Sequence, residues 1–329
     1  MAYRRTAHQE FTVAVYTQVS AEALATFLAR FDVGELVSAK GIAEGVENSN
    51  YLVDTTGGRF ILTLYEKRVA AGDLPYFLAL LDHLAARGIP VPPAIRDSEG
   101  RAIHELCGRP ACLITFLPWV SVSKPDRAQA RAAGEALGRM HAALADFDRD
   151  RPNSMGIATW RPLFDRCGAG LDTIEPGLRA HVAAAFERLA AWPAHLPRAT
   201  IHADLFPDNV LMMGSAVSGL IDFYFACTDI RAYDLAVMHG AWTFDAAGEW
   251  FDPDIGAALV EGYAAAFPLS REERAALPLL AEGAAMRFFL SRAWDWLNTP
   301  PDAMVTRKDP LAYLHRLDIY AEYGPNLFA

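Results

Sequence analysis

The stretch that most constrains this chain runs from Ile201 to Phe225, IHADLFPDNVLMMGSAVSGLIDFYF. Four polar residues keep fixed spacings in it. His202-x-Asp204 is followed by Asn209 five residues after Asp204, and Asp222 opens an Asp-Phe-Tyr triplet. Val210–Met213 and Val217–Ile221 have the composition of short β-strands, and Gly214 and Ser215 between them are turn formers. The expected element is a hairpin with polar groups at both ends.

That layout suits phosphoryl transfer, in which the protein has little covalent work to do. A hydroxyl must be aimed at a γ-phosphate while Mg²⁺ neutralises charge on that phosphate. One carboxylate, Asp204, can accept the hydroxyl's proton. Asn209 and Asp222 offer hard oxygen ligands for the metal. Asp-x-x-x-x-Asn is the spacing of the kinase catalytic loop, and Asp222 falls where the metal-binding Asp of Asp-Phe-Gly would be. Tyr224 replaces the Gly of that triplet, but metal binding needs the Asp alone. A lone His-x-Asp would fit a decorated surface hairpin equally well. Four elements in order, with apolar strands between them, do not. His202 is read as a brace for the loop, and Asp208 as a solvent-facing neighbour of Asn209.

The segments IHADLFPDNVL, VSGLIDFYFA and AYDLA resemble the aminoglycoside- and choline-phosphotransferase superfamily, and the resemblance covers nearly the whole chain. Within it, DFYFACTDIRAYDLA, EGVENSNYLVDTTGGRFILTLYEKR and RFFLSRAWDWL resemble the bacterial homoserine kinases of the phosphotransferase-like type. The resemblance implies an α+β, protein-kinase-like fold in two lobes, an antiparallel-sheet N-lobe and a mainly helical C-lobe. It also implies ATP- and Mg²⁺-dependent phosphorylation of L-homoserine to O-phospho-L-homoserine, a step of threonine synthesis. Asp234, in Ala-Tyr-Asp-Leu-Ala, resembles the family's structural Asp that ties a helix to the catalytic loop.

Composition narrows the alternatives. A chain of 329 residues has room for two lobes. Its net charge of −10, with no Lys/Arg stripe, argues against nucleic acid. The 4 cysteines show neither CxxC pairing nor zinc spacing and fit a reducing compartment. No apolar run reaches the roughly 18 residues of a membrane span. The start, MAYRRTAHQEF, lacks a signal-peptide core, so a cytoplasmic protein is expected. Oligomeric state is not legible. The expected division is an extension over 1–14 that need not be ordered, a nucleotide-binding N-lobe over 15–115 and a C-lobe over 116–329.

In chain order, SAEALATFLARF from Ser20 reads as a helix with a capping-box start that is stopped by Gly34. Strand-like runs follow at LVSAKGI, NYLVDTTGG and RFILTLYE, with Thr56-Gly57-Gly58 as a hairpin turn. A buried helix is expected over 74–87, closed by Gly88 and IPVPP. AIRD, AIHELC and ACLITFL supply three further strands, Phe116 to Trp119 the hinge, and Asp126 to Leu144 an amphipathic helix. The nucleotide loop runs from Gly41 through Gly45 and Glu47 to Asn48, Ser49 and Asn50, and its backbone and side chains can reach phosphates. Taken alone it is an ordinary hairpin loop. Phe116 is placed beside the adenine.

One departure stands out. Kinases of this superfold carry a Lys on the third strand, paired with a Glu on the next helix. Here Thr63 occupies the Lys position and Phe77 falls near the Glu position. Losing both together avoids a buried unpaired charge. Either another cation, with Lys67 or Arg68 nearest, meets the phosphates, or the chain is a nucleotide-binding pseudokinase scaffold. The intact Asp204, Asn209 and Asp222 favour the former, and the resemblance implies that Thr is usual at this position.

Homoserine presents a carboxylate, an ammonium and a primary hydroxyl. Arg287 and Arg292 lie in MRFFLSRAWD, a helical stretch that the resemblance places near the substrate cleft, and an Arg fork is bidentate, so both are candidate carboxylate readers. Five residues apart, they lie about 140° apart on a helix, so both should not line one cleft. Asp229 and Glu47 are candidates for the ammonium. Trp242, Trp294 and Trp296 could form a cleft suited to choline by cation–π contact, or simply pack. Aminoglycoside, choline and methylthioribose remain alternative acceptors. The short gap between Asp222 and Asp234 leaves little room for a peptide platform.

Overall fold

The structure is a computed structural model describing residues 17–42, 48–66, 71–118, 122, 124–299 and 307–328. The chain divides into two units. One holds the described residues up to Asp82 together with Pro92–Phe116, and the other holds His83–Val91 and the chain from Leu117 onward.

In the first unit, β1 (Leu36–Ile42), β2 (Asn48–Thr55), β3 (Gly58–Tyr65), β4 (His104–Leu106) and β5 (Arg109–Thr115) form one antiparallel sheet. Their order is β1-β2-β3-β5-β4. Thr56 and Gly57 turn β2 into β3, and the Thr55 hydroxyl accepts the N–H groups of Gly57 and Gly58, each at 3.1 Å. Gly57 is required there, because a Cβ would lie 2.5 Å from the Val33 carbonyl oxygen.

Strand alternation sorts the side chains between faces. Tyr51, Val53, Leu62, Leu64, Ala111 and Leu113 pack against Leu24, Phe27, Leu28 and Phe31 of α1 (Ala21–Leu28) and the turn after it. Asn48, Asn50 and Thr63 fall on the opposite face by the same alternation. Ser20 caps α1 by accepting the Ala23 N–H, but the reciprocal bond of a capping box is missing, because Glu22 stands one residue too early. The strand expected at AIRD shrinks to one bridge, Ala94 to Ile114. Pro92 and Pro93 before it have no N–H to extend a ladder. α2 spans Leu74–Ala86.

The second unit is mainly helical. α3 (Arg127–Ala143) starts at Asp126 with a full capping box to Gln129. α4 (Ile157–Cys167), α5 (Leu171–Ile174) and α6 (Leu178–Leu189) follow. Next come β6 (Arg198–Ile201), β7 (Val210–Met213), β8 (Ala216–Leu220) and β9 (Cys227–Ile230), then α7 (Arg231–Trp242), α8 (Pro253–Ala266), α9 (Arg271–Asn298) and α10 (Leu311–Leu327). β7 and β8 form the expected hairpin. β6 pairs with β9, a ladder the sequence pattern does not announce because each strand has only 4 residues. No described helix is long and apolar enough to cross a membrane.

Candidate active site

The β7–β8 hairpin brings its flanking residues together. Val210 pairs with Leu220, and the Ile221 N–H donates to the Asn209 carbonyl at 3.0 Å, so Asn209 and Asp222 end up at the same end of the ladder. Between β6 and this hairpin lies the loop that carries Asp204. Its backbone turns sharply at Ala203, φ +64°, and the chain turns the same way at Asp222, just after β8, φ +65°. Non-glycine residues adopt this left-handed region only when surrounding structure fixes them there.

Asp234, fully buried in the first turn of α7, is that fixture. One carboxylate oxygen accepts the His202 N–H and the other the Ala203 N–H, both at 2.7 Å. His141 of α3 reaches the same carboxylate through Nε2 at 3.0 Å, while its Nδ1 lies 2.8 Å from the Tyr263 hydroxyl of α8. Burial alone would raise the Asp234 carboxyl. The His141 bond, the imidazoles of His141 and His202 and the His202 N–H outweigh it and hold the group below its ordinary value. Hydrogen bonds to a buried charge contribute about 1.5–3 kcal/mol each, so this clamp offsets the strain at Ala203. The expected structural role of Asp234 thus has a geometric basis.

His202 is also fully buried. Its Nδ1 accepts the Asp204 N–H at 3.3 Å, so the ring proton sits on Nε2, which donates to the Ile221 carbonyl at 2.9 Å. Burial pushes this imidazole below its ordinary value. The neutral ring thereby ties the Asp204 loop to the residue before Asp222.

Asp204 keeps its side chain 19% exposed, with Oδ1 3.7 Å from Nη1 of Arg287. Burial raises its carboxyl, and the Arg287 cation beside it pulls the other way. Asn209 donates Nδ2–H to the Asp204 carbonyl at 2.8 Å, which leaves its Oδ1 as the atom a cation can use. Asp222 is exposed, as is Asp208. Among the described residues no group of three or more His, Cys, Asp or Glu could hold a metal. An Asn–Asp pair fits a magnesium ion that keeps water and phosphate oxygens for the rest of its shell.

The acceptor-side expectations fare unevenly. Arg287 is 4% exposed and its Nη1 donates to the Ala203 carbonyl at 2.6 Å. That burial and that bond weigh against a role as carboxylate reader. Arg292 is half-buried, donates to the Asp309 carbonyl at 3.2 Å and lies 4.5 Å over the Tyr313 ring. The two arginines do divide as their spacing requires. Asp229 already accepts the Asn153 amide at 2.6 Å and the Ile230 N–H at 2.7 Å, bonds that brace β9 rather than await an ammonium. The tryptophans pack. Trp242 donates to the Leu205 carbonyl at 3.0 Å, and Trp294 and Trp296 are covered by Arg166 and Arg307 at 3.9 Å and 4.7 Å.

On the nucleotide side, the Thr63 hydroxyl donates to Asn50 Oδ1 at 2.8 Å, which leaves the Asn50 amide hydrogens as donors. The Asn48 Oδ1 is buried without a hydrogen-bond partner among the described residues. Ser49 lies on the α1 face instead, where its hydroxyl donates to Glu66 at 2.8 Å and accepts the Thr17 N–H at 3.0 Å, so its side chain is not offered to a phosphate. Glu66 also meets Arg109 at 3.1 Å. Phe116 is half-buried with Arg59 5.4 Å over its ring. Gly45, Glu47, Lys67, Arg68 and Trp119 lie outside the described residues. The sequence pattern missed His141 and Tyr263. Its only hint was a His on the apolar side of the Asp126–Leu144 helix.

The α+β fold, with an antiparallel sheet in one unit and helices in the other, together with the Asp-loop and Asn–Asp hairpin, defines a phosphotransferase of protein-kinase-like fold. The chain belongs to the phosphotransferase enzyme family, whose model matches residues 38–297. The homoserine kinase of Methylobacterium sp. strain 4-46 is 55% identical, covering 95% of this chain and 99% of that relative. The homoserine kinase of Gluconobacter oxydans is 53% identical over 93% of this chain and 97% of its own. In fold, the chain is similar to a spectinomycin phosphotransferase solved with ADP and spectinomycin, with TM-score 0.67 and 14% identity over 92% and 95% of the two chains. Choline kinase from Cryptosporidium parvum gives TM-score 0.62 and 15% identity over 94% and 96%.

Proposed function

We propose that this chain is an ATP-dependent kinase that phosphorylates L-homoserine to O-phospho-L-homoserine in the cytoplasm. Its 52–55% identity to homoserine kinases over most of the chain supports the acceptor. The observation that carries the reaction class is Asp204, held with its carboxylate part-exposed on a loop clamped by Asp234 and His202.

Asp204 orients the acceptor hydroxyl and takes its proton as the hydroxyl oxygen bonds to the γ-phosphorus. The bond from that phosphorus to the β,γ-bridging oxygen breaks, and ADP leaves with the electron pair. Asn209 Oδ1 and the Asp222 carboxylate would hold Mg²⁺, which supplies charge neutralisation to the phosphates when bound. Arg292 reads the homoserine carboxylate. Asn50, held by the Thr63 hydroxyl and with Asn48 beside it, presents neutral amide donors to the nucleotide where a Lys would stand, and the unit containing them is the nucleotide-binding lobe.

The test is ADP release in a coupled assay with Mg-ATP, offering L-homoserine beside choline, a sugar, an aminoglycoside and L-serine. Saturable turnover with homoserine alone is the expected result, and turnover only with another acceptor would discard homoserine. Asp204→Asn is expected to keep the fold and nucleotide binding while kcat falls by at least about a hundredfold. Near-normal kcat in that variant would remove Asp204 from the mechanism.

A further inference from the structure

Arg287 is a buried cation that the substrate-reading role leaves unexplained. It projects from α9 onto the back of the catalytic loop, 84 residues away in sequence, and gives Nη1–H to the Ala203 carbonyl at 2.6 Å. The same nitrogen lies 3.7 Å from Asp204 Oδ1. Among the described residues no other ion pair reaches Asp204. The planar guanidinium lies 4.1 Å from the Phe288 ring and 5.4 Å from the Phe225 ring, which restricts its orientation.

Ala203 is therefore held from both sides. Its N–H goes to Asp234, and its carbonyl, turned by the positive φ, goes to Arg287. Without a partner, that carbonyl would be a buried unsatisfied acceptor next to a strained residue, and relaxing the strain would swing the neighbouring Asp204.

We infer that Arg287 is a positioning residue that acts through Asp204, aiming the carboxylate by fixing the Ala203 carbonyl and setting a cation beside it. This rests on the reading of Asp204 as the group that receives the acceptor's proton.

The experiment measures kcat and KM, with thermal melting, for the wild type and for Arg287→Met, Arg287→Lys, Asp204→Asn and the Asp204→Asn/Arg287→Met double variant. Arg287→Met lowers kcat about a hundredfold, the scale of a misplacement near 1 Å, while homoserine KM stays within about threefold. Arg287→Lys recovers about tenfold of that loss, since an ammonium keeps the charge and a donor but not the planar fork. In the Asp204→Asn background the Met substitution lowers kcat by less than about twofold, because the group it acts through is gone.

A rise in KM with kcat intact would restore Arg287 as a carboxylate reader and overturn the inference. Equal losses in both backgrounds, with no recovery by Lys, would reduce it to general structural support. If Arg287→Met fails to fold, Arg287→Lys decides, since a change in KM rather than kcat refutes the inference equally. A wild type that phosphorylates no acceptor would overturn the functional reading and this one with it.

Discussion

Replacing Gly262 by alanine sets a gain in helix propensity against a collision between two backbones. Gly262 lies inside α8, where Gly→Ala contributes about 1 kcal/mol to helix stability. The new Cβ, however, would sit 2.0 Å from the Arg131 carbonyl oxygen of α3 and 2.9 Å from its carbon. Real Cβ atoms essentially never approach a neighbour closer than 3.0 Å, and a helix carbonyl cannot rotate aside, so α3 and α8 must part by about 1 Å. Nearby, a Cβ on Gly134 of α3 would meet the Leu259 carbonyl at 2.0 Å, so the interface depends on close approach from both helices. Overpacking of this kind costs about 1–3 kcal/mol, and a gap of that width forfeits up to about half of each lost dispersion contact. The net expectation is a destabilisation of about 1–2 kcal/mol, and for a chain of this length a Tm lower by about 1.5–3 °C. Because Tyr263 is the next residue, its 2.8 Å contact with His141 stretches as well, and kcat falls even where the variant is fully folded. The matched control is Gly240→Ala in α7, whose Cβ would meet nothing closer than the Tyr320 hydroxyl at 3.6 Å. That variant should be neutral, or more stable by up to about 1 kcal/mol. Urea unfolding and thermal melting read both. A Gly262→Ala protein as stable as Gly240→Ala, with wild-type kcat, would refute the close-approach argument.

Three further predictions follow from the same network and from the sheet. Asp234→Asn leaves one acceptor oxygen where three donors converge, so stability should drop by about 3 kcal/mol and kcat by more than about a hundredfold; unchanged urea midpoints would contradict the clamp. Burial lowers the imidazoles of His202 and His239, the latter to about 3, so both stay neutral in the fold while the unfolded chain takes up protons below about 6.5. Stability should therefore fall as pH drops from about 6.5 to 4, by up to about 1.4 kcal/mol per pH unit from His239, with His202 adding in the same direction, and urea midpoints that stay flat over that range would show the rings are not held neutral. Thr63→Lys puts a cation where Thr63 is 2% exposed and where Phe77, also 2% exposed, offers no carboxylate. It should lower Tm without raising kcat, and a gain in activity would mean the phosphate site lacks only that charge.

Much of the local architecture was legible because it rests on short-range chemistry. The β7–β8 hairpin follows from two apolar runs around Gly214, and its register carries Asn209 and Asp222 to one end without help from elsewhere. β1 matches the run LVSAKGI residue for residue, and Asp126 starts α3 as a capping residue must. Counting along β3 puts Thr63 at the position expected for Lys, and the fold leaves it 2% exposed. Ser49 stands beside Asn50 in sequence, but strand alternation sends its side chain to the opposite face, where it bonds Glu66. AIRD looked like a strand because its side chains suit one, but the preceding prolines remove the donors a ladder needs.

By itself, then, the sequence determined the strands, caps and spacings that set Asp204, Asn209 and Asp222 in order, since these depend on bonds between residues close along the chain. Tertiary structure alone decided what holds them. The carboxylate of Asp234 reaches across 32 residues to the His202 N–H, His141 joins it across 93, and Arg287 reaches Ala203 across 84. No local pattern encodes such partners, because what makes a buried charge into a clamp or a positioning group is the set of donors and acceptors that folding packs around it.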